Sequence, residues 1–242
     1  MSKSLALPAA ALSLAAALLL LPPHGREAVA QSATPFVNVV DLEINPASMP
    51  KFLAALADDG AATIKEAGTQ EFVSSVGQKN QNHVFIFEVF NNAAAWDAHQ
   101  KTTTYAKFIG LTMAMIKSYN VRPFASVALN KSGAPQPLVD PPLLISADEL
   151  DIATGLTDKF IAAAKTHAAA SVQDPGCREF NIALSQTKDG HVLLFSAFDN
   201  AAALEAHQAT DHYKAYQAAV KDIISTRTMT PLSSVAVLTK GQ

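Results

Sequence analysis

The sequence predicts an α+β protein made of two tandem ferredoxin-like units, each β-α-β-β-α-β, whose antiparallel sheets pack on one another within a single chain. Three observations predict it. First, HVFIFEVFNNAAAWDAHQKTTTYAKF at residues 83–108 recurs without a gap as HVLLFSAFDNAAALEAHQATDHYKAY at residues 191–216, an offset of 108. The register extends to Leu42 over Leu150, Phe52 over Phe160, Gly68 over Gly176 and Pro123 over Pro231, which marks a tandem duplication. Second, both copies run through strand-like and helix-like periods in the same order. Third, the strands at 84–90 and 192–198 are apolar on both faces, so each sheet must be covered twice. Helices of the same unit cover one face, and the sheet of the duplicate covers the other. The result is an intrachain pseudo-dimer, expected to run as a monomer.

The chain before the repeats has its own pattern. Residues 1–30 carry Lys3, an apolar run from Leu5 to Leu21, and a polar stretch ending Ala28-Val29-Ala30. That order predicts a cleaved secretory signal peptide and a periplasmic or secreted protein. The run is just long enough to anchor in a membrane at roughly 17 residues, but Pro22, Pro23 and the Ala-Val-Ala site favour cleavage, with no stable membrane insertion afterwards. Without this segment the chain holds 16 basic and 20 acidic residues, a formal charge of −4. The absence of a basic stripe argues against nucleic acid as a partner. Cys177 is the sole cysteine, so no internal disulfide forms and no thiolate metal site exists. A small buried residue after the Pro175-Gly176 turn is the expected role.

The first unit spans 35–130. A strand begins at Phe36, and Ser48 is placed to cap a helix bearing Phe52, Leu53, Leu56 and Ile64 at helical spacing. Strands at 72–76 and 83–90 follow, then a short helix from Asn92, a longer one bearing Tyr105, Phe108 and Ile109, and a last strand at 124–129. A proline-rich linker, 131–142, is extended at about 3.1 Å per residue. The second unit, 143–240, repeats the order with a strand at 143–152, a helix at 157–172, a hairpin at 180–198 turning at Lys188-Asp189-Gly190, a helical stretch at 201–226 and a strand at 232–238. Asn200 is placed to cap that helical stretch, and Thr210 to restart it.

Pro175-Gly176-Cys177, the strand HVLLFSAF, Asp199-Asn200, Glu205-Ala206-His207 and Thr210-Asp-His212-Tyr-Lys-Ala-Tyr216 resemble the antibiotic biosynthesis monooxygenase family of dimeric α/β barrels. The resemblance covers the second unit nearly end to end and the first more weakly. It implies a pocket between sheet and helices in each unit. It further implies an oxygenase that works without a cofactor, in which a quinol or phenolic small molecule is deprotonated and its anion reduces O₂ directly. Such a site needs a base, donors for a developing oxyanion, and an apolar cavity. The haem-degrading branch is disfavoured, because His207 and Gln217 stand where that branch places a Trp and a His.

On that reading the catalytic candidates are His207, His212 and Tyr213. His207 and His99 occupy the same site in both units, as a base or as a buried histidine that fixes the helix. His212 follows Thr210 at a helix start, where the dipole favours neutral imidazole; unit one has Thr104 there. The phenol of Tyr213 either donates to an oxyanion or packs in the core. The substrate-binding candidates are Arg178, Asn181, Glu88 and His99. Glu88 shares a strand face with Val84, Ile86 and Phe90, so it is an ion-pair partner or an acid of raised pKa. No metal site is expected, and G-x-G-x-x-G, H-E-x-x-H and G-x-S-x-G are absent. Unit two is the expected active half, because it keeps His207, His212, Tyr213 and Arg178. The alternative is a non-catalytic small-ligand-binding or stress-related barrel; a mixed polar and apolar cavity around His207 and His212 discriminates the two, and filling of that space by Tyr213, Tyr216 and Phe180 would sink the enzyme reading.

Overall fold

The computed structural model describes residues 34–132 and 142–240; the expected signal peptide and most of the linker lie outside them. Unit one contains β1 (Phe36–Ile44), a 3₁₀ turn (Pro46–Ser48), α1 (Met49–Thr63), β2 (Thr69–Gly77), β3 (His83–Phe90), α2 (Ala93–His99), α3 (Thr103–Thr112), a second 3₁₀ turn (Met113–Met115) and β4 (Ile116–Lys131). Unit two contains β5 (Leu144–Ile152), α4 (Thr157–Ser171), β6 (Cys177–Ser185), β7 (His191–Phe198), α5 (Ala201–Ala209), α6 (Asp211–Val220) and β8 (Ile224–Thr239). The helical stretch expected at 201–226 is thus two helices that end at Val220, and its last three residues belong to β8. Thr210 breaks the stretch, accepting from the Tyr213 amide at 3.3 Å to start α6, as Thr102 accepts from Tyr105 in unit one.

The strands close into one antiparallel barrel in the order β1-β3-β2-β8-β5-β7-β6-β4. Each unit contributes the ferredoxin-like order, and two seams join the halves. β4 pairs with β1 along its first part and with β6 along its second; β8 does the same with β5 and β2. Both strands are 16 residues long, against the short strands expected at 124–129 and 232–238. Pro123 and Pro231 interrupt the strand pattern in sequence, since proline removes a ladder donor. In the barrel the cost is kept low. The Pro123 carbonyl faces the β6 side and accepts from the Gln186 amide at 3.0 Å, just beyond the β6 ladder, and Pro231 accepts from Gln78 at 3.1 Å. Each proline therefore sits one residue past the end of a paired ladder, where the missing N–H costs least.

Alternation in the strands divides the core in two. One set of side chains, among them Val37, Val39, Phe85, Phe87, Leu193, Phe195 and Leu232, fills the barrel. Phe87 and Phe195 are equivalent by the 108-residue offset, and their rings stack at 4.1 Å with an interplanar angle of 4°. The opposite set faces the helices in two separate outer cores, one around Phe52, Phe72 and Ile86 and the other around Phe160, Phe180 and Leu194.

Candidate functional site

In unit one the outer core does not close completely. It leaves a cavity of about 140 Å³ bordered by all four strands of the unit, its three helices and Thr187 of the second unit, close to the roughly 150 Å³ apolar cavity that accepts benzene. Leu42, Phe72, Ile86, Trp96, Phe108 and Ile109 give it an apolar wall, and Asn38, Asp59, Glu88, His99 and Tyr105 add polar atoms. Asn38 and Glu88 are direct cross-strand neighbours on β1 and β3. The Asn38 amide donates to Glu88 Oε2 at 2.7 Å. His99 Nδ1 lies 3.1 Å from Glu66 Oε2, which fixes the ring against the cavity. Three polar atoms of these lining residues have no hydrogen-bond partner: Asn38 Oδ1, Asp59 Oδ1 and Trp96 Nε1. Buried polar atoms are normally paired, so three unpaired ones among the residues that line one cavity set it apart.

Burial tunes these groups. It pushes the Glu88 carboxyl up to about 8, with the Asn38 bond opposing and the charges of Asp59 and Glu66 adding. Asp59 is pushed up to about 7 by burial and then by Glu66. The Tyr105 phenol is raised by burial and by the same carboxylates, so it stays protonated. Burial lowers His99, against the pull of Glu66. The cavity therefore holds neutral imidazole and two carboxyl groups whose ionisation falls near neutral pH.

Unit two has the same frame with different contents. His167 replaces Asp59, Asp174 replaces Glu66, His212 replaces Thr104 and Ser196 replaces Glu88. Asp174 Oδ2 receives His207 Nδ1 at 2.7 Å and His212 Nε2 at 3.0 Å, and His212 Nδ1 meets His167 Nδ1 at 3.2 Å. Burial alone would raise Asp174, but the two histidine bonds win and hold it below the usual carboxylate range. Burial, with the neighbouring histidines, pushes His167 down to about 3, so it is neutral. His207 is lowered by burial, with Asp174 opposing. The His167 ring stacks on Tyr216 at 4.4 Å and meets the edge of Phe180 at 5.0 Å; Tyr213 packs edge-on to His207 at 5.3 Å. Phe180, Tyr213 and Tyr216 thus pack against the histidines, the arrangement that counts against unit two as the expected active half.

The structure thus brings His207, His212 and Tyr213 together in unit two, and Glu88 and His99 together in unit one. Arg178 and Asn181 belong to neither group. Arg178 Nε pairs with Asp199 Oδ1 at 2.5 Å, and Asn181 is buried at the β4–β6 seam, donating to Glu179 and accepting from the Asn130 amide. Cys177 is buried, and burial pushes its thiol up to about 12. Sequence reasoning missed Asn38, Asp59, Asp174 and His167. A signal was there: Asp59 lies three residues after Leu56 and seven after Phe52, on the buried stripe of α1.

Two ferredoxin-like halves fused into one closed barrel, with a ligand-sized cavity between sheet and helices, define a single-chain dimeric α/β barrel. The chain belongs to the antibiotic biosynthesis monooxygenase family, whose profile matches residues 35–111 and again 145–219. Among solved structures it is similar to a "putative monooxygenase" from Lactobacillus acidophilus NCFM, with a TM-score of 0.78 at 18% identity, covering 86% of this chain and 97% of that one. A "putative monooxygenase" from Fusobacterium nucleatum gives 0.80 at 16% identity over 87% and 97%. An anthrone oxidase-like protein gives 0.63 at 13% identity over 88% and 96%. At these identities the likeness is one of fold, and it extends over both halves. An uncharacterised protein of Synechocystis, sll1783, is 25% identical over 115 residues, covering 48% of this chain and 74% of that protein.

Proposed function

We propose that the unit-one cavity binds a phenol or hydroquinone of about one ring and that the protein oxidises it with O₂ without a bound cofactor. The observation that carries this reading is an apolar, ring-sized cavity lined by Glu88 and by Asn38, Asp59 and Trp96, each of which holds a buried polar atom without a hydrogen-bond partner. Two acceptors and one donor suit the hydroxyls and the oxyanion of such a substrate. Family membership supports the reaction class.

In this reading Glu88 is the base. A carboxylate with a pKa of about 8 is well matched to a phenolic hydroxyl near neutral pH, where a general base is most effective. Trp96 Nε1–H donates to the oxygen that becomes anionic, and the apolar wall excludes water that would quench the anion. The anion supplies the electrons. For a hydroquinone, one oxygen atom enters the ring, the other leaves as water, and the product is a hydroxyquinone, so no outside reductant is needed.

The test is O₂ uptake against a panel of hydroquinones and phenols, corrected for autoxidation. Glu88→Gln should lower turnover on the order of 100-fold, while ligands still raise its melting temperature. Loss of turnover in His207→Asn, with Glu88→Gln unaffected, would move the chemistry to unit two. Uptake no faster than buffer, with ligands still stabilising the fold, would favour the binding protein over the enzyme. We also propose export, on the pattern of residues 1–30. Protein recovered from fractionated cells should begin at Gln31.

A further inference from the structure

The unit-two cluster is built from groups that the proposed oxidation in unit one does not use. Asp174, His207 and His212 each offer one donor atom, and the three lie within 4.8 Å of one another. We propose that Asp174, His207 and His212 form a binding site for a divalent first-row transition ion, of the kind held by two imidazoles and one carboxylate.

Four features of the site carry it. The donor set is right: imidazole nitrogen and carboxylate oxygen hold zinc, cobalt and ferrous iron at about 2.0–2.2 Å. The separations are close, with Asp174 Oδ2 already 2.7 Å from His207 Nδ1 and 3.0 Å from His212 Nε2, so small side-chain rotations open room for an ion among them. The supporting bond is in place, because the other nitrogen of His212 meets His167 Nδ1 at 3.2 Å. A ligating imidazole needs such an acceptor for its second N–H, which orients the ring. Access is also asymmetric. His207 is buried, whereas His212 and Asp174 are about a quarter and a sixth exposed, which leaves a side open for entry and for a water ligand.

Duplication gives the comparison inside the molecule. Unit one keeps only His99 of the three imidazoles and has Glu66 and Thr104 beside it, so the same frame without the site exists in the same chain. His212→Thr installs the residue that unit one carries at that position, and the fold is therefore expected to tolerate it.

The test uses the whole mature protein after treatment with chelator. Cobalt(II) titration should give one equivalent bound, with the visible absorption of a nitrogen and oxygen ligand set, and zinc(II) should displace it. Zinc should also raise the melting temperature of the chelated protein. Asp174→Asn and His212→Thr should each weaken binding by at least tenfold while keeping the wild-type circular dichroism. Absence of stoichiometric binding would overturn the proposal, as would a His212→Thr variant that binds cobalt as well as the parent. Loss of the spectrum in Cys177→Ser would assign the ion to the thiol and overturn it equally. Metal binding is read without any substrate, so its outcome is independent of the unit-one oxidation.

Discussion

Asp59 and His167 occupy equivalent positions on α1 and α4, and they give the two units different surroundings there. The short carboxyl of Asp59 borders a cavity; the larger His167 imidazole stacks on Tyr216. The residue also leaves a mark on stability. Asp59 ionises near 3.8 in an unfolded chain and near 7 in the folded one. Between those values the folded state retains a proton that the unfolded state has released, so stability falls as pH rises, by about 1.4 kcal/mol per pH unit for one proton. Outside that window this group contributes no slope. Glu88 adds a similar slope from about 4.5 to 8. Urea unfolding at pH 4.5, 6 and 7.5 should show Asp59→Asn with a slope shallower by about one proton, and an unchanged slope would mean that Asp59 is ionised in the fold. Turnover, if Glu88 is the base, should instead rise with pH toward an apparent pKa near 8.

Among the elements, the restarted helices decide where the second group of side chains points. Thr210 accepts from the Tyr213 amide and donates its own hydroxyl to the His207 carbonyl at 2.7 Å, so one side chain ends α5 and starts α6. The bend carries His207 and His212 toward the same Asp174. Thr210→Ala should cost about 1 kcal/mol in chemical denaturation and weaken zinc binding together with it; Thr210→Ser should restore both. The capping residues were readable in the sequence, because Asn92, Asn200 and Thr210 each stand before a helical run and each does accept an amide. Ser48 was readable too, yet its side chain makes no cap bond. The β4 and β8 ends were not readable, because Pro123 and Pro231 break the local pattern and only the barrel's register shows that each sits one residue past the end of a paired ladder.

For the whole molecule, the two seams and the stacked Phe87 and Phe195 make the halves depend on one another. Phe87→Ala should destabilise by about 3–5 kcal/mol and should lower the unfolding midpoint of both halves at once, measured by two probes with coincident transitions. Residues 143–240 expressed alone would expose Leu193, Phe195 and Leu232, and sedimentation should show self-association; a stable monomer would mean the halves are independent. The polar ends of the barrel follow the same pseudo-symmetry. Glu71 and Glu179, equivalent and both buried, share one end, where Lys131 Nζ reaches Glu71 at 2.7 Å and burial, with the charge of Glu71, raises Glu179 well above the ordinary range. At the other end Arg122 joins Asp41 to its counterpart Glu149.

The duplication, the β-α-β-β-α-β order and the need for each sheet to be covered twice were determined by the sequence alone, because offset, period and polarity are local properties of the chain. The different contents of the two outer cores were not. Whether an outer core leaves a cavity depends on the volumes of side chains from seven elements meeting at one place, and several exchanges between the units, Asp59 for His167 and Glu88 for Ser196 among them, change that sum. Likewise, Asp174 becomes a partner of His207 and His212 only when the turn after α4 is folded against α5 and α6, more than thirty residues on. The sequence supplied the groups; tertiary packing decided which of them share a site.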